Sequence, residues 1–300
     1  MTEEELSRGR DYFVAKSNEV ILLSRYSLSL QQYKVLLCII SKIKPDDTPD
    51  TEYKISVKDI VKTCGYIEGA GKYYRTIKAD IKAIADASCY IETAPDREEL
   101  FRWLDTVSYD KGEKSTYTVR FHSSVAPYLF DLKERYTLIR LYYFLCLSHK
   151  YSIRLYEYLC VMKYRGTIET SIAYLKRIMD AEHYTKISHF KERAFEPAIE
   201  DINNYTELNV EYEYKRTGRN VTHVVFRYIE EDAISYTVSQ RKREAKINPD
   251  IRRSVRERKQ EVKERRERIR KEELIQGEGT VTAQLTLEEL LNSLDGGTAQ

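Results

Sequence analysis

Residues 69–78 read GAGKYYRTIK: two glycines in front of a lysine, then two tyrosines and an arginine. Glycines let a main chain approach a phosphate closely, and Lys72, Tyr73, Arg75 and Lys78 supply donors for one. The chemistry on offer is therefore anion binding, either of a nucleotide or of a nucleic-acid backbone. A P-loop needs a glycine five residues before Gly71 and a serine or threonine after the lysine, where Tyr66 and Tyr73 stand instead. It also needs a buried strand upstream, yet SVKDIVKTCGYIE has a serine cap and the helical spacing of Val57, Ile60 and Val61. The nucleotide reading is poor on both counts.

Other chemistry is equally hard to place. The chain has no H-E-x-x-H, no G-x-S-x-G and no complete P-loop, so neither a catalytic residue nor a cofactor site is expected. Cys38, Cys64, Cys89, Cys146 and Cys160 are odd in number, scattered and never paired as C-x-x-C. That pattern fits reduced, mostly buried thiols and argues against zinc or any other metal.

The elements that must position the phosphate-binding residues emerge from length and charge. Three hundred residues, 42% hydrophobic and 33% charged, fit two domains with cores of their own. The first twenty residues begin acidic and lack an apolar leader core, and the longest apolar run, VLLCII, is too short to cross a bilayer. A cytoplasmic protein without membrane contact is expected. The net charge of +2 hides a segregation: residues 241–273 carry fifteen Lys and Arg against eight acids, while residues 274–300 carry four acids and no base. A basic surface on the main body must therefore be local.

The same order of elements occurs twice. In the first half, a helix over 29–44 has Tyr33, Leu36, Leu37 and Ile40 on one face, EYKIS is extended, and a second helix starts at Val57. After the glycine turn, a third helix over 72–87 places Tyr74, Ile77, Ile81 and Ile84 together. The extended SCYIETA and a hairpin turning at DKGE follow. In the second half, a helix over 152–166 points Leu155, Tyr158, Leu159 and Met162 inward and stops at Gly166. TIETS is extended, IAYLKRIMD is helical, AEHYT replaces the glycine turn, and 186–206 is a long helix burying Ile187, Phe190, Ala194, Ala198 and Ile202. A hairpin over 208–229 turns at RTGRN. Pro197 implies either a break or a supported kink in the long helix.

Helix, strand, helix, turn, helix, hairpin is the winged helix-turn-helix order. The expected fold class is α+β, with two tandem winged helix-turn-helix domains and a charged helical C-terminal tail. The divisions fall at 1–131, 132–235 and 236–300. In such a domain the third helix enters the major groove N-terminus first and the turn before it follows the backbone. The first-copy candidates are thus Lys72, Tyr73, Arg75 and Lys78, and the second-copy candidates are Lys186, Ser188, His189, Lys191 and Arg193. Lys215, Arg216, Arg219 and Asn220 on the second wing would reach flanking phosphates or the minor groove.

At SHKYSIRLYEYL, FKERAFEPAIEDIN and LNVEYEYKRTGRNVTHVVFRY the chain resembles the replication initiator (Rep) proteins of theta-replicating bacterial plasmids, which bind repeated sites called iterons. The three blocks occur in the family's order between about Leu132 and Ile229, and NEVILLSRYSLSLQQYKVLLCIISKI is similar to its first domain. The resemblance implies binding of double-stranded DNA at origin iterons, help in opening the duplex, and recruitment of the host replication initiator and replicative helicase. It also implies dimerisation through the first domain, the homodimer repressing its own promoter while monomers bind iterons. Rolling-circle initiators, by contrast, nick DNA with a tyrosine and a His-apolar-His metal site, and His122, His149, His183, His189 and His223 never stand two apart. A winged-helix transcriptional repressor without a replication role accounts for the same elements.

From Asn248 the basic stretch reads as one charged helix with Glu261 to Arg265 and Glu264 to Arg268 at i, i+4 spacing, either solvated or partly disordered, or else a DNA arm or coiled coil. Near the C-terminus, Thr286 and Glu289 form a capping box and Leu287, Leu290, Leu291 and Leu294 an apolar face. The 284–294 segment suits a partner's groove, and QLTL is similar to the start of sliding-clamp binding peptides.

Overall fold

The computed structural model describes residues 12–64, 71–94, 96–109 and 116–229, without the side chains of Lys62 and Lys72. The DKGE turn, the glycine turn up to Ala70, and the tail with its charged helix and 284–294 segment lie outside the described residues.

The chain opens with β1 (Phe13–Ser17), α1 (Asn18–Leu23) and β2 (Ser24–Arg25), followed by α2 (Leu30–Ile40). Helix α2 starts where Ser29 and Gln32 cap each other: Gln32 N–H donates to Ser29 Oγ at 3.2 Å and Ser29 N–H to Gln32 Oε1 at 2.9 Å. Its face of Tyr33, Leu36, Leu37 and Ile40 is buried as the spacing requires. Next come β3 (Tyr53–Ser56), α3 (Val57–Thr63), capped by Ser56 Oγ on Asp59 N–H, and α4 (Gly71–Asp86). Ile77, Ile81 and Ile84 anchor α4 in the core with no exposed surface.

Four strands follow: β4 (Ser88–Ala94), β5 (Arg97–Arg102), β6 (Leu104–Tyr109) and β7 (Thr116–Phe121). Strands β6 and β7 form the expected hairpin and add to β3 in the antiparallel order β3-β7-β6. Strands β4 and β5 form a second hairpin that the sequence pattern had not separated from the first, pairing with β2 in the order β2-β4-β5. The chain crosses between these sheets at Trp103, which is fully buried.

The second half begins with β8 (Tyr136–Arg140), which pairs antiparallel with β1, Val14 opposite Ile139. Then come α5 (Leu141–Cys146), α6 (Lys150–Met162) and Gly166 with φ +71°. Strand β9 (Ile168–Ser171), α7 (Ile172–Ile178), α8 (Ile187–Phe190), a π-helical turn over Lys191–Phe195, α9 (Glu196–Tyr205), β10 (Val210–Thr217) and β11 (Asn220–Tyr228) complete the fold. Their sheet, β10-β11-β9, repeats the order β6-β7-β3. Two winged helices therefore stand in tandem, the first enlarged by the β4–β5 hairpin.

Pro197 neither breaks the long helix nor simply bends it. A proline inside an α-helix lacks the N–H for the i−4 carbonyl and its ring crowds that carbonyl. Here the turn before it widens, Glu196 N–H reaching back five residues to Lys191 O, and the helix continues to Tyr205.

Helix α6 joins the two winged helices. From Ser152 to Cys160 every residue is buried, which marks a helix enclosed on all sides. Arg154, 1% exposed, donates from Nε to Ile178 O at 3.0 Å and from Nη2 to Ile21 O at 3.0 Å and Ser24 O at 2.9 Å. It pairs with Glu157 at 2.7 Å, and Glu157 accepts from Lys16 of β1, also at 2.7 Å. Tyr174 of α7 adds a bond to Leu22 O at 2.8 Å, and Arg177 pairs with Glu92 of β4 at 2.5 Å.

Candidate nucleic-acid interface

In the second winged helix, Ser171 caps α7 by accepting from Tyr174 N–H at 3.2 Å. The turn that follows is pinned at several points. Lys176 Nζ donates to Tyr184 O at 2.6 Å, Lys150 pairs with Asp180 at 3.2 Å, and Asp180 takes φ +54°. The chain is thus delivered to Lys186, the residue that precedes α8 and whose side chain makes no cap. Phe190 and Ala194 face inward with no exposed surface, which turns Lys186, Ser188 and Arg193 outward and leaves His189 half-exposed. Lys186 and Arg193 form no ion pair among the described residues.

Lys191 is placed differently. Its Nζ lies 3.7 Å from the centroid of the Tyr214 ring and 3.9 Å from Glu196 Oε1, so its charge is engaged within the protein. Tyr214 in turn donates its hydroxyl to Glu196 Oε1 at 2.9 Å. Burial and that carboxylate together hold the Tyr214 phenol well above its ordinary pKa.

The wing turns in two residues, Gly218 and Arg219, between the paired Thr217 and Asn220. Gly218 takes φ +62° at the first central position, as a tight hairpin turn of type II′ requires. Arg216, Arg219 and Asn220 are exposed at this tip, and neither arginine has an ion-pair partner among the described residues. Lys215 is held back by both oxygens of Glu169 on β9, each at 2.8 Å, and Arg227 is held by Glu213 at 3.0 Å. The wing's cationic character is thereby concentrated at its tip.

In the first winged helix, Arg75 is exposed and Lys78 half-buried on α4, and neither has an ion-pair partner among the described residues. Tyr73 packs against the core. The Lys72 side chain lies outside the described residues.

The structure therefore brings Lys186, Ser188 and Arg193 together on the third helix of the second copy, and Arg216, Arg219 and Asn220 at its wing tip. Lys191 and Lys215 are drawn into protein contacts. What the sequence pattern missed is the buried charge of α6. Arg154 and Glu157 at i, i+3 look like a solvated pair, and the one available signal was that they interrupt a helix whose remaining positions are nearly all apolar or aromatic. Among the described residues no cluster of His, Cys, Asp and Glu could hold a metal ion, and no helix is long and apolar enough to cross a membrane.

Comparison with known proteins agrees with this architecture. The family described as initiator replication protein, WH1, matches residues 13–160, and that described as initiator Rep protein, WH2, matches residues 171–228. The first match runs through β8 and nearly all of α6, past the division at 131 suggested by the element order. A curated relative from Escherichia coli, a "Replication initiation protein", is 24% identical over 227 residues, covering 71% of this chain and 68% of its own. The chain belongs to the plasmid replication initiator (Rep) family, whose tandem winged-helix domains bind DNA.

Proposed function

We propose that the protein starts replication of a plasmid by binding directly repeated sites at its origin. On this reading the helix from Lys186 to Arg193 lies in the major groove, and the wing tip of Arg216, Arg219 and Asn220 contacts the neighbouring backbone or minor groove. The helix from Gly71, with Lys72, Arg75 and Lys78, is the corresponding contact of the first domain. The observation that carries the proposal is the distribution of free and neutralised cations. Lys186, Arg193, Arg216 and Arg219 are exposed and unpaired among the described residues, while their neighbours Lys191, Lys215 and Arg227 are engaged. An unpaired cation on a winged helix's third helix and wing gains the most from a phosphate or a base edge.

The finer steps belong to the same proposal. Binding of several copies opens an adjacent A·T-rich segment, the host initiator and replicative helicase are recruited to it, and catalysis rests with those proteins. A dimer represses the protein's own promoter, and the 284–294 segment docks to a replication partner such as the sliding clamp. All of this takes place in the cytoplasm on plasmid DNA.

Footprinting on DNA flanking the protein's own gene, together with a probe for unpaired bases, tests the reading. Protected repeats about two helical turns apart, beside a distorted A·T-rich segment, are expected. A single palindromic footprint without distortion would leave a transcriptional repressor.

A further inference from the structure

The wide turn before Pro197 does more than accommodate a proline. In an α-helix, residues five apart point in different directions, whereas the neighbours are three and four apart. Here two pairs five apart meet. Phe190 and Phe195 have ring centroids 6.0 Å apart, and Lys191 Nζ lies 3.9 Å from Glu196 Oε1. The extra residue in the turn thus builds two layers on the side of the helix that faces the wing. The apolar layer centres on Phe195, whose ring contacts Tyr212 at 5.1 Å and Phe226 at 5.9 Å between centroids. The polar layer grips Tyr214 of β10, with Lys191 on its ring face at 3.7 Å and Glu196 on its hydroxyl at 2.9 Å.

Tyr214 stands on the same strand as Lys215 and Arg216, which lead to the wing tip, while Lys191 stands two residues from Arg193. Helix and wing meet the same duplex from different sides, so any freedom in the angle between them would let one bind without the other. A cation on the ring face and a carboxylate on the hydroxyl fix both the tilt and the rotation of the tyrosine. We propose that Lys191, Tyr214 and Glu196 are positioning residues that couple the third helix to the wing, so that the contacts of Arg193 and Arg219 form together or not at all. Lys191 on this account acts through Tyr214 rather than by reading a base.

The inference rests on the proposed DNA contacts of Arg193 and Arg219, and the test separates the two. The probe is the strongest duplex that the wild-type protein selects from a randomised library. Affinity is measured for Arg193→Ala, Arg219→Ala and the double variant, first in the wild-type background and then with Tyr214→Phe or Lys191→Met. In the wild type, the double variant should bind about five-fold or more tighter than the product of the single losses implies, because either change alone already loosens the joint contact. With Tyr214→Phe or Lys191→Met the losses should multiply independently, to within about two-fold, and Lys191→Arg, which keeps a cation on the ring, should restore the coupling. Tyr214→Phe keeps the ring against Phe195, so the fold is expected to survive it. Coupling that persists in both backgrounds, or that is missing in the wild type although each single variant weakens binding, overturns the inference alone. Should neither single variant weaken binding relative to a random duplex, the proposed contacts themselves fail and the inference with them.

Discussion

Lys16 Nζ lies 2.7 Å from Glu157 Oε1, with both side chains almost fully enclosed, so the first strand of the molecule is charge-paired to the helix that leads into the second winged helix. Burial alone would lift the Glu157 carboxyl, but Lys16 and Arg154 outweigh it and hold the carboxyl below its usual range. Burial pulls the Lys16 ammonium down, and Glu157 offsets part of that. Among the described residues, Glu157 is the single carboxylate paired with these two cations.

Glu157→Gln should therefore cost about 3–5 kcal/mol, because it strands two buried cations. Lys16→Met should cost no more than about 1 kcal/mol, since Arg154 and Glu157 remain a matched pair. The carboxyl's depressed pKa means that its stabilisation is complete above the ordinary carboxylate range and is lost as pH falls through the folded-state value. The gap between wild type and Glu157→Gln should accordingly narrow in acid. Urea unfolding of both variants at neutral and acidic pH measures this, and equal losses for the two would contradict the asymmetry.

Arg193→Ala should reduce affinity for a selected duplex by about 1–3 kcal/mol with little effect on random DNA, whereas Arg219→Ala should weaken random DNA too and lower the salt slope by about one, with a larger loss on the selected duplex because the base contact of Arg193 loosens with it. Lys215→Ala should change the slope less than Arg219→Ala, because Glu169 already neutralises Lys215. Titrations across a salt series on selected and random duplexes decide between these outcomes.

Gly166 ends the 3-10 turn Lys163–Arg165 that follows α6, with φ +71° and ψ −116°, a conformation that L side chains rarely adopt, and a Cβ there would meet nothing within 4 Å among the described residues. Gly166→Ala should cost about 1–3 kcal/mol through backbone strain alone. Thermal unfolding reads the loss. A variant as stable as the wild type would show that the loop relaxes without penalty.

Asp80 of α4 is 7% exposed, and its Oδ2 has no hydrogen-bond partner among the described residues. Burial raises its pKa, against a smaller opposing effect of a hydrogen bond from Gln32. An acid whose folded-state pKa is raised favours the fold when protonated and loses that contribution as pH rises through the folded-state value. Asp80→Asn should thus gain in melting temperature over the wild type as pH rises from below the ordinary carboxylate range to neutrality. A difference that stays constant across that range would rule out the titration as its source.

Much of the scaffold is written locally in the chain. Ser29 and Gln32 announce the start of α2, the spacing of Ile77, Ile81 and Ile84 gives the buried face of α4, and the glycine of RTGRN marks the wing turn. These features depend on residues within a few positions of one another. The β4–β5 hairpin was not legible, because REELFR alternates only weakly and its partner β2 is two residues long. At the candidate interface, sequence supplied the cations of the third helix and wing but not their states. Lys191 and Lys215 differ from Arg193 and Arg219 only through Tyr214 and Glu169, which arrive from other elements once the chain has folded. Charge on a helix is normally a solvated face, which is why the burial of Arg154 and Glu157 was signalled only by the apolar and aromatic residues around them on α6.

The enclosure of α6 has a mechanical corollary. Its guanidinium is fastened to carbonyls on both sides, Ile178 in one winged helix and Ile21 and Ser24 in the other. If both winged helices contact DNA as proposed, surfaces tied together through Arg154 would act as a gauge of fixed length and fixed angle. On the proposed reading, the duplex has to present its two contacted stretches at that pitch, and half a turn of added DNA between them would carry the second to the far side of the helix.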